Sequence, residues 1–228
     1  MFKLKVLMVA DECCAAEPQT AAVQEILESQ GYDYQLFVDL NWKDLKDKQL
    51  GFERLVEELP EDYTHIMFLD ARDVVVLAPA EQVMEKWFRL NHPWVYAAEA
   101  CPWPPGTPEP PSPDTLYFRY LNSGTCIGER EYILKAQRAW RASGLSFEGY
   151  INDQDWVADR YYEGYPDLIH LDHQNEVFTC WIGSNHNLDL SPGFAHNGVT
   201  NTDPPIIHFN GGVNILEARY RILWESLV

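Results

Sequence analysis

Apolar and polar positions follow two rhythms along this chain. Lys3 to Ala10 begins charged and runs into Val6-Leu-Met-Val-Ala10, which predicts a β-strand. The apolar part is short and Asp11-Glu12 follow at once, so the segment reads as a strand rather than a secretory signal. Pro18 to Gly31 predicts a helix, with Ala22, Ile26 and Leu27 on one face and Gly31 ending it. Tyr34 to Leu40 is rich in β-formers and predicts a second strand. Phe52, Leu55, Val56 and Leu59 have helical spacing, and Pro60-Glu-Asp leads from them into a strand over His65 to Leu69. The pattern then predicts a helix over Pro79 to Leu90, a strand over Trp94 to Ala98, and strand–turn–strand over Tyr117 to Gly128. Helices are expected over Glu131 to Ser143 and Ile151 to Tyr162, and short strands over Leu168 to Leu171 and Pro205 to Phe209.

Alternating strands and helices imply an α/β fold: a Rossmann-like, mostly parallel sheet flanked by crossover helices. Ligands of such sheets bind outside the carboxyl ends of the strands. Cys101-Pro-Trp-Pro-Pro-Gly-Thr-Pro-Glu-Pro-Pro-Ser-Pro113 is too proline-rich for regular structure. It reads either as a linker between domains or as a stiff loop over an active site. The loop is favoured, because the parallel pattern before it has no clear closing element. The chain then reads as one domain over residues 1–228, with an active-site loop at about 101–114. No internal repeat is visible.

Composition narrows the function. A chain of 228 residues with 46% hydrophobic content has enough apolar sequence for a sizeable core. The formal net charge of −18, from 17 basic and 35 acidic residues, argues against general nucleic-acid affinity. No apolar run approaches the roughly 20 residues that span a bilayer. Cys13, Cys14, Cys101, Cys126 and Cys180 are odd in number and lack zinc-ligand spacing. Reduced thiols in a cytoplasm-like compartment are the simplest expectation.

The chemistry centres on Met67-Phe-Leu-Asp-Ala-Arg-Asp-Val-Val-Val76. Asp70 ends one apolar run, and Asp73 stands just before the next. Two carboxylates on a strand-end turn supply half a site for a hard divalent cation that keeps open positions for phosphate. An acidic turn with Arg72 as local partner is the plain alternative. In Ile206-Ile-His-Phe-Asn-Gly-Gly212, a β-branched pair delivers His208 to a strand end, and Gly211 and Gly212 allow close backbone approach. Leu121-Asn-Ser-Gly-Thr-Cys-Ile-Gly128 either presents polar groups to a sugar or forms a hairpin turn. Asn152, Asp153 and Asp155 read as a helix N-terminal cap, which also places an acid within reach of an acceptor hydroxyl. Glu99 and Trp103 flank the start of the proline cluster, where a Trp face suits a pyranose and a buried anchor is the alternative. Ile169-His-Leu-Asp-His173 holds an H-x-D pattern that binds iron in dioxygenases, but the jelly-roll of short strands that accompanies it is absent.

In order, Phe68-Leu-Asp-Ala-Arg-Asp-Val74, Ala98-Glu-Ala-Cys-Pro-Trp103, Tyr120-Leu-Asn-Ser-Gly-Thr-Cys-Ile-Gly128, Asn152-Asp-Gln154, Leu171-Asp-His173 with Val177-Phe178, and Ile207-His-Phe-Asn-Gly211 form a series. That series resembles the glycosyltransferase domain of the procollagen lysyl hydroxylases, the PLOD family, from about Val6 to about Asn214. The resemblance implies a GT-A fold, Mn²⁺ (with Mg²⁺ as the alternative) and a UDP-sugar donor. By matching position, Asp70, Asp73 and His208 would hold the metal. Val9, Ala10 and Asp11 would lie along uracil and ribose, with Arg72 beside them. Gly211, Gly212 and Asn214 would line the diphosphate. Trp103 would match the family's mobile aromatic and Glu99 its nearby carboxylate, while Asn122 and Asp153 would face sugar or acceptor.

The chain departs from the family pattern at three places. Asn214 stands where the family carries a lysine after the His-x-Asn-Gly turn, leaving Arg72 or Arg219 as possible substitutes for its charge. Asp11 replaces a threonine. The Gly-rich, Lys-bearing segment before the metal strand is reduced to Gly51-Phe-Glu-Arg54. The expected function is metal-dependent transfer of glucose or galactose from a UDP-sugar to a hydroxyl, on hydroxylysine or a collagen-like chain in the family's case. The alternatives are the same chemistry on a hydroxymethylated DNA base or a glycan, and a UDP-sugar-binding module weakened in turnover.

Overall fold

A computed structural model of the chain describes residues 2–105, 107, 109–110, 113–144, 148–150, 152–162, 168–181, 188–191 and 194–210. The chain begins with β1 (Leu4–Ala10), a short α1 (Glu12–Ala15), α2 (Pro18–Ser29), β2 (Tyr34–Val38), α3 (Lys46–Glu58) and β3 (His65–Leu69). Next come β4 (Val74–Val76), α4 (Ala80–Leu90), β5 (Trp94–Glu99), β6 (Tyr120–Glu129), α5 (Arg130–Ala142) and α6 (Asp153–Tyr162). Five short strands follow: β7 (His170–Asp172), β8 (Phe178–Cys180), β9 (Leu188–Ser191), β10 (Phe194–Asn197) and β11 (Ile206–His208).

The main sheet has the order β2-β1-β3-β6-β5-β7. Pairing is parallel among β2, β1 and β3 and between β5 and β7, while β6 runs against both its neighbours. This is the mostly parallel α/β sheet that the pattern predicts. Both faces are buried, as such sheets require. Val6, Met8 and Ala10 of β1 join one apolar cluster with Met67, Leu69 and residues of α2 and α4. Leu7 and Val9 join the other, with Phe68, Tyr96 and residues of α3, α5 and α6. A slip of one residue would exchange the two sets, so packing fixes the register.

The expected strand–turn–strand over Tyr117 to Gly128 is a single ten-residue strand, β6. The small residues Asn122-Ser-Gly-Thr mimic a turn in composition, but β3 and β5 pair with the strand on either side. A register shift between Tyr96 and Ala97 of β5 accommodates it. Helix α3 starts at Lys46, ahead of the expected Phe52, because Lys48 and Gln49 are buried polar residues that an apolar pattern passes over.

A smaller sheet, β4-β11-β8, sits against the first. Val74 pairs with His208 across the antiparallel β4–β11 ladder. That pairing brings the distant His208 beside the Asp70–Asp73 turn. Gly211, Gly212, Asn214 and Arg219 lie outside the described residues. No described helix is long and apolar enough to cross a membrane.

Candidate functional site

The site forms where β3 ends. The Asp70 N–H donates to the Gly124 carbonyl at 2.8 Å, which extends the β3–β6 ladder one step past the strand. The Asp73 carbonyl accepts from the Phe209 N–H at 2.8 Å, which ties the turn to the end of β11. These two backbone bonds aim three side chains at one point. Among the described residues, Asp70, Asp73 and His208 each offer a ligand atom, all within 4.8 Å of one another.

The histidine is oriented from behind. Its Nδ1 lies 2.8 Å from Asn122 Oδ1, and that oxygen also accepts the Gly124 N–H at 3.0 Å. A backbone N–H can only donate, so the amide oxygen faces the ring and Nδ1 carries a proton toward it. Nε2 then points at Asp70 Oδ2, 3.4 Å away, and Asp73 Oδ1, 3.5 Å away. An imidazole whose other nitrogen donates to an oxygen is the usual arrangement behind a metal-binding histidine. Asp73 Oδ1 is buried and makes no hydrogen bond among the described residues. Two carboxylates and one imidazole, with one buried carboxylate oxygen left unsatisfied, fit a divalent cation.

Gly124 makes this convergence possible. A Cβ there would lie 2.1 Å from His208 Cε1 and 2.7 Å from Asp70 Oδ2. The glycine in β6 serves a close approach rather than a turn.

Lys48 joins Arg72 as a cation beside the acidic turn, where the Asp73 charge acts on Arg72. Its Nζ is 2.8 Å from Asp70 Oδ1 and 2.9 Å from Asp153 Oδ2. Arg72 turns to Glu17, with Nη1 3.1 Å from Oε1. Sequence reasoning missed Lys48 because Lys43-Asp-Leu-Lys-Asp-Lys48 reads as a solvated charged stretch. The available signal was its placement one turn ahead of Phe52 on the face that packs on the sheet. Gly51 on that face packs so close that a Cβ would meet Val9 Cγ1 at 2.8 Å.

Charge and burial oppose each other throughout the cluster. Burial pushes the Asp70 carboxyl up, but Lys48 and His208 more than offset it and hold it well below the carboxylate range. Burial pushes Lys48 down, yet Asp153 and Asp70 raise it above the ordinary lysine value. His208 is lowered by burial and raised further by Asp73 and Asp70, ending well above its ordinary value.

Glu99, at the end of β5, is 4% exposed. Its oxygens accept from Gln154 Nε2 at 2.7 Å and Asn210 Nδ2 at 2.5 Å. Burial raises its carboxyl to about 7 against these hydrogen bonds. Gln154 Nε2 also donates to the Trp103 carbonyl at 2.9 Å, so the start of the proline-rich loop is tied to α6. Trp103 itself is 46% exposed and lines the cavity, so it is not a buried anchor. Asn152 caps α6: its Oδ1 accepts the Asp155 N–H at 2.7 Å, as expected.

Two cavities meet at the cluster. One, of about 260 Å³, is lined by Glu99, Trp103, Asn122, Asp153, Gln154 and His208 among others. The second, of about 160 Å³, is lined by Val9, Ala10, Asp11, Cys14, Trp42 and Ala71. Leu45, Lys48, Asp70, Arg72 and Asp73 belong to both. One oxygen of Asp11 is engaged in capping α1, accepting the Cys14 N–H at 2.6 Å. Trp42 was not anticipated from the sequence.

The H-x-D pattern has a structural role. Asp172 is 1% exposed, and its oxygens accept the backbone N–H groups of Glu176, Val177 and Phe178 at 2.7–2.9 Å. His173 Nδ1 is 2.7 Å from the Phe118 carbonyl.

A model of the PLOD GT domain matches residues 50–217. The chain belongs to the PLOD GT domain family. Among curated proteins, the mouse procollagen-lysine,2-oxoglutarate 5-dioxygenase 2 is 28% identical over 173 residues, and its human counterpart 29% identical over 180. Each match covers 72% of this chain, which spans only 23% of either relative's length. Among solved structures, the galactosyltransferase LgtC in complex with donor and acceptor sugar analogues superposes with a TM-score of 0.55. It is 12% identical and covers 98% of this chain and 96% of its own. A glycosyltransferase involved in the glycosylation of the major capsid of PBCV-1 gives a TM-score of 0.53 at 11% identity, covering 97% of this chain and 98% of its own. These neighbours place the PLOD GT domain sheet in the GT-A class of folds.

Proposed function

We propose that the chain is a metal-dependent glycosyltransferase that moves a hexose, glucose or galactose, from a UDP-sugar to a hydroxyl. The observation that carries this reading is the pair of cavities sharing Asp70 and Asp73. A nucleotide sugar has a nucleoside at one end, a sugar at the other and a diphosphate between. The cavity at Val9, Ala10, Asp11 and Trp42 suits the nucleoside, and the one at Glu99, Trp103, Asn122 and Asp153 suits the sugar. The boundary between them is where a diphosphate needs a cation.

Asp70, Asp73 and His208 would hold that cation, and the imidazole nitrogen favours Mn²⁺ over Mg²⁺. When bound, it supplies Lewis-acid stabilisation of the departing diphosphate. Lys48 takes the charge-neutralising part that the lysine missing at Asn214 would have played. With Asp70 holding the cation, the Lys48 ammonium would be released from that carboxylate toward the donor phosphates, with Asp153 keeping it in place at the junction of the two cavities. Asp153 orients the acceptor hydroxyl or takes its proton. Glu99 is a positioning residue, because both its oxygens brace Gln154 and Asn210. Trp103 covers the sugar from its half-exposed loop, and Arg72 lines both cavities beside the phosphate end; the diphosphate roles that the resemblance implies for Gly211, Gly212 and Asn214 fall outside the described residues. The relatives are named for procollagen lysine, which makes a hydroxylysine side chain in a collagen-like peptide the first acceptor to test.

The test is UDP release from UDP-glucose and UDP-galactose with Mn²⁺, with and without a hydroxylysine-containing collagen peptide. The reading predicts metal-dependent release that the peptide accelerates. UDP binding without hydrolysis or transfer, across these donors and a panel of glycan and hydroxymethylated-base acceptors, would overturn it in favour of a binding module.

A further inference from the structure

Three histidines meet at the outer edge of the main sheet. His170 opens β7, which ends the sheet and pairs with β5, Val95 opposite His170. His92, exposed in the turn between α4 and β5, lies flat on the His170 ring, with centroids 3.7 Å apart and planes 3° apart. His173 meets the same ring edge-on, with centroids 5.9 Å apart and planes at 80°. The backbone fixes each of them. Asn91 closes α4 in the left-handed conformation, with φ of 54°, and the Pro93 carbonyl accepts the Glu129 N–H at 2.8 Å, so the turn carrying His92 is held at both ends. His173 Nδ1 lies 2.7 Å from the Phe118 carbonyl. A carbonyl only accepts, so the imidazole donates and fastens the returning limb of the proline-rich loop.

This cluster has little room for protons. Two imidazolium rings face to face at 3.7 Å repel each other strongly. His170 is half-buried, and burial, His92 and His173 together lower it to about 4. Among the described residues, no carboxylate offsets these three effects. Alongside His170, β5 brings Val95, Tyr96 and Ala97, and Arg89 in the last turn of α4 is paired with Glu85. On β7 itself, Asp172 accepts three backbone N–H groups, and burial raises it to about 6.

We propose that the three histidines form an acid-sensitive latch on the edge of the sheet. With His92 and His170 neutral, their stack clamps β7 to the α4–β5 turn. A proton on each parts the rings, and β7 opens together with the Phe118 end of the proline-rich loop. The latch rests on the fold and is independent of the proposed transfer chemistry. The sign follows from linkage: the released imidazole takes a proton at 6.5 and the stacked one at about 4, so the closed state is favoured above 6.5 and loses that advantage as pH falls. Between pH about 7 and about 5 this makes opening about twentyfold more frequent. Asp172 acts in the opposite sense, because its raised carboxyl takes up a proton in the closed state over the same range.

The test compares the full chain with its His170→Phe variant by hydrogen exchange and mass spectrometry, at those two pH values and corrected for intrinsic exchange rates. The phenyl ring keeps a flat partner for His92 and cannot take a proton, while Asp172 and Glu99 titrate alike in both proteins. The proposal predicts that opening of residues 168–173 in the wild type, relative to the variant, rises about tenfold or more as pH falls, with no such rise in β1. An equal pH response in the two proteins, or a rise shared evenly with β1, would overturn it. If His170→Phe does not fold by circular dichroism, His92→Phe removes the second charge from the stack. It should reduce the same response, and an unchanged response would overturn the proposal.

Discussion

Gly124 decides how closely β6 passes the cation cluster, because a single methyl there would overlap the His208 ring. Gly124→Ala should therefore fold, since β6 is held on both sides, yet displace His208 and remove the metal-dependent gain in melting temperature. Retention of that gain would mean the ring does not belong to the cation site. Lys48 is a second residue whose loss has a readable sign. Lys48→Met leaves Asp70 and Asp153 without their shared partner and should cost about 3 kcal/mol of stability, as breaking a buried ion pair does. A divalent cation should restore part of that loss, so Mn²⁺ should raise the melting temperature of the variant more than that of the wild type. Asp70, Asp73 and His208 were legible in the sequence because each stands at one end of an apolar strand, a position that packing does not require of a charge. Lys48 was not legible, because a buried lysine needs carboxylates that lie 22 and 105 residues further on. Only the fold brings them together.

The loop-and-helix junction at Glu99 belongs to the scale of elements. Glu99 ends β5, Gln154 opens α6, and Trp103 begins the proline-rich loop, so one carboxylate steadies three segments. Its folded value of about 7 exceeds its ordinary value of 4.5, so the folded protein keeps a proton that the unfolded chain releases. The stability it contributes is complete below about 4.5 and is lost as pH rises through about 7, by at most about 3 kcal/mol. In denaturant melts without divalent cations, the wild type should lose stability relative to Glu99→Gln across that window. A pH-independent difference would place the strain elsewhere. Asp172 anchors the turn from β7 to β8 through three backbone N–H groups. Asp172→Ala should cost on the order of 3 kcal/mol, read from the urea midpoint. Most helices and main-sheet strands could be read from periodicity. β6 could not, because its small residues answer to His208 across the site, and β8, β9 and β10 are too short to show a period.

At the scale of the whole molecule, the end of β3 sets Asp70 where two cavities meet, one at Val9 and Trp42 and the other at Glu99 and Trp103. The GT-A fold could be anticipated once the motifs were read in order. The orientation of their side chains required the β4–β11 pairing, which joins residues 130 to 134 positions apart. The central claim is that Asp70, Asp73 and His208 bind a divalent cation that in turn holds a nucleoside diphosphate. Calorimetric titration of UDP into the full chain, with and without saturating Mn²⁺, tests it most directly when repeated on Asp73→Ala. The account predicts binding that strengthens at least a hundredfold with Mn²⁺, about 2.7 kcal/mol, in the wild type and not in the variant. Equal UDP affinity with and without Mn²⁺, or an undiminished metal effect in Asp73→Ala, would contradict it.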